Sequence, residues 1–183
     1  AKQANTQERV LMAAILANKP VLLSSEPGMG KSAVIESMLP QWGYEVETVM
    51  VSQRDPSDLN GLPMINNEGE VIMAPPRWAT RANAANKSVI FMDEFSQATP
   101  AVQGATLRVL NERWAGETKL GDHVCFILAA NPPECSAGGF DLSAPAANRM
   151  VHINWNGASV DDWANGLTNG WDSITPSYDD AAL

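Results

Sequence analysis

The stretch Ser24-Ser25-Glu26-Pro27-Gly28-Met29-Gly30-Lys31-Ser32 carries two glycines, a lysine and a terminal hydroxyl in close order. Gly28 and Gly30 allow the backbone to turn with positive φ and to approach a ligand closely. The N–H groups freed at the start of a following helix would then point at an anion. In that arrangement Lys31 can reach terminal phosphates, and the Ser32 hydroxyl can ligate Mg²⁺. The competing reading is an ordinary glycine-rich turn that caps a helix. Further along lie two adjacent carboxylates, Asp93-Glu94, then Asn131-Pro132, then Arg149. Asp93 is suited to hold Mg²⁺ together with Ser32, directly or through water. Glu94 is suited to polarise an attacking water. Asn131 could hold that water or a terminal phosphate, although an Asn-Pro pair also marks a simple turn. The competing reading is that one of the carboxylates merely caps the turn that follows. Arg149 could compensate charge on a transferring phosphoryl group, or could be a surface arginine.

These residues need strands and helices to hold them. Val21-Leu22-Leu23 reads as a strand running into the glycine loop, and Lys31 to Leu39 as a helix with Val34, Ile35, Met38 and Leu39 on one face. Pro40 is expected to end that helix. Before the loop, Thr6 to Asn18 reads as an amphipathic helix with Val10, Leu11, Ala14, Ile15 and Leu16 on its apolar side. Tyr44 to Ser52 reads as a strand. Ser57 could cap a short helical turn after Asp55-Pro56. Leu62 to Ile65 and Glu70 to Met73 flank an Asn/Gly turn and read as a hairpin. Arg77 to Asn86 reads as a short helix. Ser88 to Met92 and Val124 to Ala130 are continuous apolar runs, suited to strands buried on both faces. Thr99 with Pro100 opens a helix that should last to about Trp114. Ala115 to Gly121 reads as a second hairpin and Glu134 to Phe140 as a loop. Ser143 to Asn148 reads as a short helix, Val151 to Ile153 as a strand, and Val160 to Leu167 as a last helix.

Strands alternating with helices predict an α/β domain with a mostly parallel sheet. In such sheets ligands sit at the carboxyl ends of strands. The glycine loop follows Leu23, Asp93-Glu94 follows Met92, and Asn131 follows Ala130, so all three groups fall on those ends.

Composition excludes several function classes. The net charge is −9, with 12 basic against 21 acidic residues, which opposes non-specific binding to nucleic acid or anionic membrane. No apolar run is long enough to span a bilayer, and Ala1 to Arg9 is polar rather than signal-like. Cys125 and Cys135 form neither a metal spacing nor a disulfide framework, so a reduced, cytoplasmic setting is expected. His123 and His152 read as structural. Arg77, Arg81, Arg108 and Arg113 read as solvated or interface positions.

Taken together, Ser25 to Ser32, Val89-Ile90-Phe91-Met92-Asp93-Glu94, Ala129-Ala130-Asn131-Pro132 and Ala147-Asn148-Arg149-Met150 resemble the Walker A, Walker B, sensor 1 and arginine-finger motifs of AAA+ ATPases. The two hairpins, with Asp58-Leu59-Asn60-Gly61 and Asn111-Glu112-Arg113, resemble those of the MoxR and magnesium-chelatase branch. The resemblance covers about Thr6 to Trp171. It implies a three-layer P-loop NTPase fold with a five-stranded sheet and two hairpin inserts. It implies a nucleotide site built from Glu26, Pro27, Gly28, Met29, Gly30, Lys31, Ser32 and Ala33, with Mg²⁺ on Ser32 and Asp93. Glu94, Asn131 and Arg149 would be catalytic, Arg149 acting on the neighbouring subunit of a hexameric ring. The implied activity is Mg²⁺-dependent ATP hydrolysis by a chaperone-like remodeller, and the implied partner carries a von Willebrand factor A domain. Two departures are plain. Ser25 stands where the loop pattern has glycine, and the turn is expected to survive because serine is small. No helical lid with a sensor 2 arginine follows, so the chain is expected to hold the large nucleotide-binding subdomain, residues 1–171, and a polar tail, 172–183. A nucleotide-dependent switch with little hydrolysis, and a motor on DNA similar to the restriction GTPase relatives, stay open as alternatives. The phosphate loop alone leaves ATP and GTP unseparated.

Overall fold

The computed structural model describes residues 6–132, 148–157 and 159–170. Its centre is a five-stranded sheet of β1 (Val21–Ser24), β2 (Glu45–Met50), β5 (Ser88–Asp93), β8 (Val124–Ala130) and β9 (Val151–Asn154). The spatial order is β2-β5-β8-β1-β9, and every neighbouring pair is parallel. Two separate hairpins are formed by β3 (Leu62–Ile65) with β4 (Val71–Ala74) and by β6 (Trp114–Ala115) with β7 (Thr118–Lys119). This is the α/β architecture expected of a P-loop NTPase, with both inserts in place.

The continuous apolar runs are explained by burial on both sides. Val89, Phe91, Cys125, Ile127 and Ala129 pack with α1 (Thr6–Leu16) and α2 (Lys31–Gln41), through Leu11, Ile15, Ile35, Met38 and Leu39. The alternate residues Ile90, Met92, Phe126, Leu128 and Ala130 pack on the opposite face. There they meet α4 (Arg77–Ala84), through Trp78, Ala79 and Ala82, and α5 (Pro100–Glu112), through Val102, Ala105 and Val109. Helices on both faces leave the strand ends as the open edge of the domain.

Several boundaries differ from the sequence reading for identifiable reasons. Pro40 does not end α2 but lies inside its last turn. A proline there forfeits one N–H, and Trp42 N–H still reaches the carbonyls of Met38 and Leu39, so the turn closes around it. The first helix stops at Leu16, with Val10 and Leu16 exposed and Met12 taking a core place instead. The short helix α3 (Pro56–Asn60) is capped by Asp55 rather than Ser57. Pro56 occupies its first position, and the Asp58 carboxylate accepts the Asp55 N–H at 3.0 Å. Among the described residues a further helix, α6, spans Val160–Asn169. The expected helix at 143–148, the loop at 134–140 and the tail beyond 171 lie outside the described residues, apart from a turn at Asn148.

Arg113 is the clearest correction. Arg81 and Arg108 do lie exposed, paired with Glu47 and Glu112. Arg113 instead closes α5 in a left-handed conformation, φ 59°. Its guanidinium donates to the carbonyls of Gly121 at 2.5 Å and Val124 at 2.7 Å, and lies 5.6 Å from the centre of the Phe126 ring. It ties the end of α5, the second hairpin and the start of β8 together. Arg113→Leu should therefore destabilise the domain by about 2–3 kcal/mol, because two carbonyls lose a charged donor. Urea unfolding checks this. A change under about 0.5 kcal/mol would restore the surface reading.

The hairpins also touch each other. A Cβ on Gly61 would stand 2.8 Å from the Cα of Gly116, so only glycine permits this approach. Glu117 N–H donates to the Met73 carbonyl at 3.1 Å, and the Glu117 carboxylate accepts the Met73 N–H at 3.1 Å. No described helix is long and apolar enough to cross a membrane.

Candidate nucleotide site

The three groups singled out from sequence meet at one edge of the sheet. A cleft of about 350 Å³ opens there, lined by Pro27 to Ala33 with Asp93, Glu94, Gln97, Ala129 and Asn131. Adjacency of β5, β8 and β1 produces it, since the chain segments leaving these strands start side by side. Strand β1 delivers the loop, and the Ser25 N–H stays attached to the Ala130 carbonyl at 3.3 Å. The loop then turns through Gly28 (φ 80°) and Gly30 (φ 74°), a backbone that side chains other than glycine rarely adopt. Gly30 caps α2, so the first N–H groups of that helix face the cleft. Helix dipole and free N–H groups together favour an anion at this point.

Lys31 folds back over the loop. Its ammonium donates to the Ser25 carbonyl and hydroxyl, each at 2.8 Å, and to Asn131 Oδ1 at 3.0 Å, with the Glu26 carbonyl at 3.4 Å. Ser32 Oγ donates to Asp93 Oδ2 at 2.5 Å. The other oxygen, Asp93 Oδ1, accepts the Glu94 N–H at 2.8 Å. Glu94 itself stands in a left-handed conformation, φ 57°, which sharply bends the chain where β5 ends. Its carboxylate accepts a hydrogen bond from the Ser52 hydroxyl.

A Mg²⁺ ion suits this donor set. Ser32 and Asp93 already bring a hydroxyl and a carboxylate oxygen together, both hard ligands. Among the described residues no cluster of three or more His, Cys, Asp or Glu could cage a metal alone. That is the usual situation for Mg²⁺, which keeps waters and takes further oxygens from phosphates.

Of the residues selected from sequence, Pro27 to Ala33, Asp93, Glu94 and Asn131 line the cleft. Glu26 does not. It is exposed and contributes only its carbonyl near Lys31. Arg149 is exposed in the turn before β9 and is not part of the lining. Three contributors to the site are not apparent from the sequence alone. Gln97 lines the cleft, Ser52 holds Glu94, and the buried Ser96 hydroxyl accepts the Asn131 N–H at 3.0 Å. The signal for Ser52 is the register of β2 on β5, where Met50 stands beside Asp93, and that register becomes visible only once the strand order is known. The histidine reading holds for His123, whose ring lies 3.2 Å from the Asn83 carbonyl. Cys125 is buried, and loss of solvation pushes its thiol up, so it is an inert core residue.

Strand order and loop together define a P-loop NTPase fold. The model for the ATPase family associated with various cellular activities (AAA) matches residues 21–138. The chain belongs to that family. Among solved structures it is similar to a candidate ATPase from Cytophaga hutchinsonii, with 21% identity and a TM-score of 0.59, over 91% of this chain and 52% of that one. It is also similar to NtrX from Brucella abortus, with 16% identity and a TM-score of 0.50, over 84% of this chain and 37% of that one. This chain therefore spans about half the length of the first. At these identities the likeness is one of fold. No curated protein matches by sequence.

Proposed function

We propose that this domain binds ATP with Mg²⁺ in the cleft at the ends of β1, β5 and β8 and hydrolyses it, as the large subdomain of a ring-forming, MoxR-like remodeller. The observation that carries the reading is the convergence of Lys31, Ser32, Asp93, Glu94 and Asn131, from three different strand ends, on one cleft. In this reading Lys31 and the N–H groups of the loop bind the β- and γ-phosphates. Ser32 and Asp93 would hold Mg²⁺, which when bound neutralises charge on the phosphate oxygens. Glu94 takes a proton from water as the water oxygen attacks the γ-phosphorus. The bond from that phosphorus to the β–γ bridging oxygen breaks, leaving ADP and phosphate. Asn131, fixed by Ser96, orients the water or the γ-phosphate. Arg149 lies outside the cleft of its own chain, which suits an arginine offered to the neighbouring subunit.

The finer assignment rests on resemblance. Both hairpins are present and joined, and Asp58 to Gly61 and Asn111 to Arg113 flank them in the MoxR-like pattern. From it follow a hexameric ring, a cytoplasmic location, residues 1–171 as the large subdomain, and a partner with a von Willebrand factor A domain. The joined hairpins are the contact surface for that partner, since exposed loops on a rigid scaffold carry binding.

A nucleotide switch with little hydrolysis is the second reading. It draws on the Ser52 hydroxyl, which holds the Glu94 carboxylate and competes with water for it. One variant separates the two. Glu94→Gln should retain ATP binding and lose about 10²–10⁴ in turnover, because the amide fills the same space but accepts no proton. Phosphate release by the wild type that the variant does not reduce would move water activation elsewhere. A wild type that binds ATP without measurable turnover would favour the switch.

A further inference from the structure

We propose that Ser25 is a positioning residue that latches Lys31 against the loop, and that opening this latch limits nucleotide affinity. The inference rests on the reading of the loop as a nucleotide site and adds a residue to it. An ammonium has three N–H donors. In this structure the Ser25 carbonyl, the Ser25 hydroxyl and Asn131 Oδ1 receive Lys31 Nζ at 2.8, 2.8 and 3.0 Å. With the Glu26 carbonyl at 3.4 Å as well, the three donors are already met, so a phosphate oxygen can be accommodated only by displacing an acceptor. The carbonyl belongs to the backbone and would be present with any residue at this position. The hydroxyl is an acceptor that glycine or alanine would lack.

The position does not demand glycine. Among the described residues only Asn18, Glu94 and Arg113 combine a side chain with positive φ, so Ser25 is unstrained. It is also buried, at 6% exposure, beside the last residues of β8. Its hydroxyl has a local acceptor of its own, the Glu26 carbonyl at 3.1 Å. With its proton given to Glu26, the hydroxyl oxygen presents its lone pairs toward Lys31. The two contacts orient the group as an acceptor, which a hydroxyl that only filled space would not require. Shielding from water strengthens a charged hydrogen bond of this kind.

The test compares wild type, Ser25→Ala, Ser25→Gly and Ser25→Thr in two measurements. The first is the acetylation rate of Lys31 by acetic anhydride in nucleotide-free protein, followed by mass spectrometry. The second is calorimetric titration with a non-hydrolysable ATP analogue and Mg²⁺. Ser25→Ala should acetylate at Lys31 about 3-fold or more faster, since Nζ loses the hydroxyl that holds it against the loop and is more open to the reagent. It should bind the analogue on the order of 10-fold more tightly, as one charged hydrogen bond no longer competes with phosphate. Ser25→Thr, which keeps the hydroxyl, should stay near wild type in both. Ser25→Gly should follow Ser25→Ala, and it serves if the alanine variant does not fold. An acetylation rate unchanged in both hydroxyl-free variants overturns the latch. Faster acetylation with unchanged or weaker affinity overturns its control of binding. Failure of the wild type to bind the analogue would count against the nucleotide reading, while the acetylation rates would still decide whether the latch exists.

Discussion

Lys31→Ala is expected to abolish binding of an ATP analogue. Lys31 is the cation that lies in the loop, within reach of the groups that follow three strands. The loop N–H groups and the dipole of α2 remain in the variant, but each is a partial charge. Removing the ammonium deletes hydrogen bonds to phosphate of about 1.5–3 kcal/mol each, so losing two of them weakens affinity by more than about 100-fold. The substitution also frees Ser25 and Asn131 from a shared partner, so circular dichroism and thermal unfolding must accompany the titration. Retained affinity in a folded variant would mean that the loop is a structural turn.

Arg149→Ala should have a comparably large effect on turnover with no effect on binding to the same chain's loop. Arg149 is exposed before β9 and contributes nothing to its own cleft. If it completes the site of a neighbour, a ring of Arg149→Ala subunits should hydrolyse ATP about 10³-fold or more slowly, the scale of a lost arginine finger. Mixed with Lys31→Ala subunits, it should regain part of that activity. One subunit then supplies an intact loop and the other an intact arginine. The measurement belongs on the assembled, full-length protein, with mixed rings verified by native mass spectrometry. Verified mixed rings that show no rescue would make Arg149 a structural residue.

Most of what positions the cleft can be read along the chain. Gly28 and Gly30, the apolar runs ending at Met92 and Ala130, and the Thr99-Pro100 start of α5 are local signals with local causes. The Thr99 hydroxyl does accept the Val102 N–H, as an N-cap should. What escapes a linear reading depends on partners distant in sequence. Ser52 reaches Glu94 because β2 pairs with β5 at the edge of the sheet. Ser96 reaches Asn131 because β5 and β8 are neighbours. Arg113 looks like any polar helix end until the second hairpin folds back beneath it and presents carbonyls. Pro40 reads as a stop, yet the helix runs one residue past it, and the Trp42 N–H closes the turn on the carbonyls of Met38 and Leu39. Ser25 reads as a blemish in a glycine pattern, whereas its hydroxyl is a partner of the lysine that the pattern is built around.

The central claim is that a nucleotide's phosphates rest on this loop, between Lys31 and the ends of β5 and β8. The most direct measurement is a titration of ¹⁵N-labelled protein with a non-hydrolysable ATP analogue and Mg²⁺, followed by amide chemical shifts. The account predicts the largest shifts at Gly28 to Ala33, with smaller ones at Glu94 and Asn131, and little change in the β3–β4 hairpin. Saturable binding whose shifts leave Gly28 to Ala33 unmoved would contradict it.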